Sequence, residues 1–367
     1  MDIFAEAARH GHERVVFCSR PEVGLRAIVA IHSTRLGPGL GGVRMWPYGS
    51  SEEALTDVLR LSRGMTYKAA AAGLHLGGAK AVILGDARRD KSEALLRAFG
   101  RCVDSLAGHY ITAEDVGTNT ADMEAIAVET RWVTGVPIDR GGSGDPSPVT
   151  ARGVHQGMRA AAERMWGAPT LAGRSVAIQG LGHVGGHLAG LLRAEGAKVF
   201  GCDLDAEAVE RARTELGVEI VASEEIYDLP CDVFAPCALG ATVNERTIPR
   251  LRVRVVAGAA NNQLSEERRD GEELHRRGIL YAPDFVINAG GLVNVYNESI
   301  GYDRERALRM ADRILDSTRR VFEIAGRDGI APWLAAERLA EERLAAVGQL
   351  GPRNWERLAR ERISVYG

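Results

Sequence analysis

Two lysines stand in settings that disfavour a charged ammonium. Lys68 lies in Gly64-Met65-Thr66-Tyr67-Lys68-Ala69-Ala70-Ala71-Ala72-Gly73, and Lys80 in Leu76-Gly77-Gly78-Ala79-Lys80-Ala81-Val82-Ile83-Leu84-Gly85. Small and apolar neighbours strip hydration from the charge, and a second ammonium nearby adds repulsion. Both effects lower the pKa of an amine and let one lysine act as a base near neutral pH. The other, if it stays charged, can hold a carboxylate. Either lysine alone would read as a surface residue with a snorkelling stem; two in Gly/Ala-rich settings point to chemistry. Asp115, in Thr112-Ala113-Glu114-Asp115-Val116-Gly117, would by itself read as a turn or cap residue.

A second constellation is Gly180-Leu181-Gly182-His183-Val184-Gly185, preceded by the apolar run Ser175 to Gln179 and followed by a helical pattern. In a G-x-G-x-x-G loop between strand and helix, Gly180 permits the tight turn, Gly182 lets backbone approach a pyrophosphate, and Gly185 lets helix and strand pack closely. The helix N-terminus adds N–H groups and partial positive charge for phosphates. With 43 glycines in the chain, such a loop can arise by chance. Asp203 sharpens the reading, because it ends the next apolar run at about the separation expected of the acid that binds the ribose hydroxyls. A carboxylate there repels a 2′-phosphate, and Leu204-Asp205 offers no arginine to receive one, so NAD is expected over NADP.

These residues need a scaffold. At 367 residues, two domains are expected. The pattern of apolar runs and amphipathic stretches is that of an α/β chain. Strands are expected at 14–18 and 25–31 and a helix at 51–63 with Ser51 as its cap. Glycines and prolines between 135 and 148 mark a loop or hinge, after which Ser147-Pro148 opens a helix to about Trp166. Strands at 175–179, 198–202, 232–235, 254–257 and 279–282, with helices at 184–195 and 206–216, imply a doubly wound parallel sheet. Residues 304–326 read as one long amphipathic helix, and the charged tail to Gly367 as helical, returning to the first domain.

Composition excludes other classes. Hydrophobic residues make up 45% and charged residues 26%, ordinary globular values. No apolar run is long enough to span a membrane, and the N-terminus lacks a secretory pattern. A net charge of −3 gives no reason to expect nucleic acid or an anionic membrane. Five scattered cysteines make neither a disulfide framework nor a zinc site, and no histidine pair suggests a metal. A cytoplasmic setting is expected.

The block Gly77-Gly78-Ala79-Lys80 resembles the active-site signature of the glutamate/leucine/phenylalanine/valine dehydrogenase family. The resemblance runs from Ala30 to about Arg343 through Leu36–Gly42, Ile111–Gly117, Ala235–Gly240, Ala259–Gln263 and Tyr281–Gly291, and is strongest to the leucine-type members. It implies an N-terminal α/β substrate domain (1–140 with 331–367, also serving oligomerisation) and a Rossmann-type NAD-binding domain (141–330), separated by a cleft. It implies NAD-dependent oxidative deamination of a branched-chain aliphatic L-amino acid to the 2-oxo acid and ammonia, by a homo-oligomer that is commonly an octamer. By the same resemblance, Lys68 binds the substrate carboxylate with Gly41 and Gly42, Lys80 activates water, and Asp115 exchanges a proton with the amine. Asn262 contacts the nicotinamide end, Asn288 lies beside the substrate, and Leu40, Ala113, Leu292 and Val295 line the side-chain pocket. Their apolar character disfavours glutamate, whose charge would be left unpaired. The chain departs from leucine-type members at Gly39 (usually Ala), His183 (usually Asn) and Leu292 (usually Val). The larger Leu292 shifts preference toward valine or isoleucine. The alternatives are a valine or phenylalanine dehydrogenase on the same scaffold and a silent NAD-binding regulatory protein. A 2-hydroxy-acid dehydrogenase would need a His–carboxylate pair, and none is evident.

Overall fold

The computed structural model describes residues 2–348; the expected helical tail beyond lies outside them. The described chain divides into two compact units, one of residues 2–144, 295–302 and 341–348, the other of 145–294 and 303–340. Relative to the division expected from sequence, 141–144 and 295–302 join the first unit and 331–340 the second. Helices run through two of these boundaries, so no change of composition marks them.

In the first unit, α1 (Ile3–Arg9) precedes a mixed sheet of β1 (Arg14–Arg20), β2 (Leu25–Ser33), β3 (Gly39–Leu40), β4 (Val43–Trp46), β5 (Gly77–Leu84) and β6 (Tyr110–Ile111). The order is β1-β2-β5-β3-β6, with β4 also beside β5. The remaining helices of this part are α2 (Ser51–Ala71), α3 (Glu93–Asp104) and α4 (Thr120–Ala127). Alternation at period two sends side chains to opposite faces. Val29, Ile31, Ala79, Ala81, Val43 and Met45 pack with α3 and α4. Ile28, Ala30, Val82 and Leu84 pack with Ala54, Leu55, Val58 and Leu59 of α2. Lys80 precedes Val82 by two and pairs with Ala30, and Arg44 pairs with Val82. Both therefore stand on the α2 face.

The cap of α2 is Ser50, whose Oγ accepts the Glu53 N–H at 3.1 Å; Ser51, expected as the cap, is the first helical residue. The helix runs on past Arg63 to Ala71, so Lys68 sits in its last turn. One cysteine expectation is corrected: Cys18 on β1 and Cys102 on α3 form a disulfide, with 6.4 Å between their Cα atoms. β1 and α3 pack on the same face, a proximity that a separation of 84 residues does not reveal in sequence. Cys202, Cys231 and Cys237 are free. Burial pushes the Cys231 and Cys237 thiols up to about 12, which suits inert packing residues.

The second unit opens with α5 (Ser147–Trp166). Ser147 is its first residue, not its cap; Asp145 Oδ1 accepts the Ser147 N–H at 2.9 Å. There follow β7 (Ser175–Gln179), α6 (His183–Ala194), β8 (Lys198–Cys202), α7 (Ala206–Leu216), β9 (Glu219–Ile220), β10 (Val233–Pro236), β11 (Val255–Val256), α8 (Glu267–Arg276) and β12 (Leu280–Tyr281). The sheet order is β12-β11-β10-β7-β8-β9, all parallel. The order reverses at β7, which is the switch point of a doubly wound fold. Then come α9 (Asp284–Ile287), α10 (Gly290–Glu298), α11 (Arg304–Asp312), α12 (Ile314–Asp328) and α13 (Pro332–Gly348). The single helix expected over 304–326 is two, because the chain tightens into i→i+3 bonds around Arg313. The buried stripe Ala307, Ala311, Ile314, Thr318 and Val321 passes through the break, so periodicity alone reads one helix. Among the described residues, no helix is long and apolar enough to cross a membrane, and no cluster of three or more His, Cys, Asp or Glu could hold a metal ion.

Candidate active site

In the first unit the site is built on β5 and the two segments beside it. Glycines allow the approach: a Cβ on Gly41 would stand 1.8 Å from the Ala79 carbonyl oxygen, and one on Gly42 would stand 2.9 Å from Asp115 Cβ. The buried Tyr110 hydroxyl donates to the Gly41 carbonyl at 2.9 Å and braces it. The Asp115 turn is fixed by Thr118, whose Oγ1 accepts the Asp115 N–H at 2.9 Å and donates to the Val43 carbonyl.

These contacts bring Lys80 Nζ to 2.9 Å from Asp115 Oδ2. Lys80 is only 6% exposed. Its burial lowers the ammonium pKa; Asp115 works against that, and Arg44 works with it. For Asp115, burial alone would raise the carboxyl, but the charges of Lys80 and Arg44 outweigh it and hold the group below its ordinary value. The pair thus couples an ionised carboxylate to an amine that gives up its proton more readily than an ordinary lysine.

The cation that acts on Lys80 in this way is Arg44, which the sequence reading passed over in giving that part to Lys68. Arg44 Nε donates to the same Asp115 Oδ2 at 3.1 Å, and its Nη1 to Asp57 Oδ2 at 2.9 Å. Tyr48 Oη donates to Asp57 Oδ2 at 2.7 Å. The one available signal was a charged residue inside the apolar strand Val43-Arg44-Met45-Trp46. A cavity of about 660 Å³ is lined by Arg44 and Asp57 with Trp46, Tyr48, Thr56 and Arg60; neither Lys80 nor Asp115 lines it.

Lys68 is half-buried on α2. Two residues before it, Thr66 touches the sheet so closely that a Cβ on Gly78 would lie 2.0 Å from its backbone nitrogen. Leu40 and Ala113 are both buried on adjoining segments, joined through Gly41 N–H to Ile111 O and Val43 N–H to Ala113 O. Leu292 (buried) and Val295 (half-buried) lie one turn apart on α10.

In the second unit, β7 ends in the glycine loop. Gly180 has φ +101°, which suits glycine, and a Cβ on Gly185 would stand 1.9 Å from the Gly180 carbonyl oxygen. No side chain caps α6, whose N-cap is Gly182, and a Cβ there would meet open space. Leu181 is buried beneath the loop, Val184 half-buried, and His183 exposed with Nδ1 3.8 Å from Asp145 Oδ2. Asp203 Oδ2 accepts the Leu181 N–H at 2.6 Å, tying the acid to the loop. An uncapped N-terminus, a glycine cradle and an adjacent carboxylate fit a dinucleotide: phosphates at the helix, ribose at Asp203. Asn262 takes a left-handed φ of +51° and is exposed, while Asn288 is 4% exposed and donates to Asn261 Oδ1 at 2.9 Å.

The comparisons agree across the chain. Residues 12–132 match the Glu/Leu/Phe/Val dehydrogenase dimerisation domain, and residues 141–209 and 204–345 match the glutamate/leucine/phenylalanine/valine dehydrogenase family. Leucine dehydrogenase of Bacillus cereus is 56% identical over 347 residues, covering 95% of this chain and 94% of that protein. Valine dehydrogenase of Streptomyces coelicolor is 51% identical, covering 91% and 93%. The crystal structure of L-tryptophan dehydrogenase from Nostoc punctiforme superposes with a TM-score of 0.86 at 46% identity, covering 94% of this chain and 99% of that one. The chain therefore belongs to the glutamate/leucine/phenylalanine/valine dehydrogenase family and is an amino-acid dehydrogenase that uses a nicotinamide cofactor.

Proposed function

We propose that the chain catalyses the reversible NAD-dependent oxidative deamination of a branched-chain aliphatic L-amino acid, leucine together with valine and isoleucine. The observation that carries this is the buried Lys80 ammonium, 2.9 Å from Asp115, in a member of this family. The overall reaction converts amino acid, NAD⁺ and water into 2-oxo acid, ammonium, NADH and a proton. Bound at Gly180–Gly185 and Asp203, with Asn262 toward its reactive end, NAD⁺ supplies the acceptor for the substrate Cα hydride. Lys68 holds the substrate carboxylate by charge, with the backbone at Gly41 and Gly42. Lys80, as the free amine, takes a proton from the water that adds to the iminium carbon left behind. Asp115, ionised at rest, takes the hydroxyl proton of the resulting adduct and passes it to the substrate nitrogen, so that ammonia departs and the carboxylate is again an anion. Asn288 orients the substrate.

Leu40, Ala113, Leu292 and Val295 form the pocket for an aliphatic side chain. One methylene alters discrimination by only about 1–3 kcal/mol, so several branched substrates are accepted. Leu292 moves the preference toward the smaller ones. The match of the first unit to a dimerisation domain supports a homo-oligomer, an octamer by resemblance to leucine-type members.

With L-leucine as donor, the protein reduces NAD⁺ in clear preference to NADP⁺, because Asp203 meets the 2′-position. Initial rates with each nucleotide check this. A better rate with NADP⁺ refutes the cofactor assignment, and no reduction of either refutes the reaction for leucine.

A further inference from the structure

We propose that Arg44 is a positioning residue of this site: anchored by Asp57, its guanidinium holds the Asp115 carboxylate ionised and in place, and so leaves Lys80 free to give up its proton. The inference rests on the reading of Lys80 as the base. Its foundation is a single oxygen, Asp115 Oδ2, that accepts from two cations, Lys80 Nζ at 2.9 Å and Arg44 Nε at 3.1 Å. Beyond Arg44 the signs alternate. Asp57 Oδ2 takes Arg44 Nη1 at 2.9 Å, and Asp57 Oδ1 takes Arg60 Nη2 at 3.1 Å.

A carboxylate paired with a lone ammonium would hold that ammonium's proton firmly. Here Arg44, which stays protonated, already satisfies the same oxygen. When Lys80 loses its proton, Asp115 keeps a cationic partner and remains an anion. Neither step leaves a buried charge unpaired, which is the costly state. Arg44 can do this because β4 runs parallel to β5 with Arg44 opposite Val82, which puts it on the face that carries Lys80. The groups coupled to this network are Asp115 from the turn after β6, Tyr110 on β6, Arg44 on β4, Tyr48 just after it, and Asp57 and Arg60 along α2. Among them, Arg44 favours the free amine of Lys80, while Asp115 and Asp57 favour the ammonium.

The two partners of Arg44 therefore have opposite signatures. Arg44→Gln removes the competing cation, so the ionisation of Lys80 moves to higher pH by about one unit or more. Arg44→Lys keeps the charge and recovers most of that midpoint. It does not recover the rate, because an ammonium cannot span both carboxylates as the planar fork does. Asp57→Asn removes an anion and moves the midpoint to lower pH. The test is the pH dependence of cyanate modification at Lys80 in the free protein, read by peptide mass spectrometry, beside the rising limb of kcat/KM for L-leucine. Opposite displacements for Arg44→Gln and Asp57→Asn, seen in both readouts, are expected. An unchanged midpoint with rates lowered equally at every pH, or displacements of the same sign, overturns the proposal. Labelling needs no substrate or cofactor, so it decides the role of Arg44 even if the wild type oxidises no amino acid; failure of the reaction is read from wild-type turnover alone.

Discussion

Lys80→Ala abolishes most turnover, lowering kcat for L-leucine oxidation by about a thousandfold, the middle of the range for loss of a positioned acid–base group. The wild-type kcat/KM rises with pH as Lys80 becomes the free amine. Burial and Arg44 put that rise below the ordinary lysine range, against the pull of Asp115. In the variant the rise disappears. The protein still folds, because removing Lys80 leaves Asp115 with Arg44 at 3.1 Å and creates no unpaired buried charge. Lys80→Met, which keeps the aliphatic volume, separates lost chemistry from lost packing. Initial rates and a melting curve on both variants check this. Near wild-type turnover in either would remove Lys80 from the mechanism.

Gly78→Ala is expected to be among the most damaging single-methyl changes in the first unit. The added carbon would stand 2.0 Å from the backbone nitrogen of Thr66 and 2.3 Å from its Oγ1. Thr66 lies inside α2, and its hydroxyl is already bonded to His32 Nδ1 at 2.8 Å, so the neighbour cannot swing away. The whole helix must retreat from β5. Overpacking of this kind costs about 3 kcal/mol or more, or a fall in Tm of about 6–12 °C for a unit of this size. Because α2 carries Lys68 and Asp57 while β5 carries Lys80, the catalytic rate falls with stability. Calorimetry and initial rates on the variant check both; a Tm within a degree or two of wild type would show that the α2–β5 approach is looser than described.

The parts of this protein that were legible in sequence are those whose signal is local. The strands 175–179 and 198–202 and the helix 206–216 stand where their apolar runs place them, because each strand of a parallel sheet is buried on both faces. The glycine loop was legible because a tight turn and a close helix leave little choice of residue. Helix ends were less so. Ser50 and Ser51 are chemically identical, and only backbone geometry selects the first as the cap. Arg313 interrupts a stripe whose spacing does not change. Contacts made across the sheet were not legible. Cys18 and Cys102 are 84 residues apart, and the partners of Arg44, Asp57 and Asp115, come from a helix and a turn on different neighbouring segments. Lys80 was noticed for its apolar neighbours, whereas Arg44, equally placed in an apolar strand, was missed because its importance lies in what it touches.

The central claim is tested most directly by mixing the purified protein with NAD⁺ and, separately, L-leucine, L-valine, L-isoleucine, L-phenylalanine and L-glutamate, and following NADH absorbance. Fast reduction with the three branched aliphatic donors and little with the other two is the predicted result. Reduction chiefly with phenylalanine or glutamate would contradict the proposed preference for aliphatic side chains, and no reduction with any donor would contradict the reaction itself.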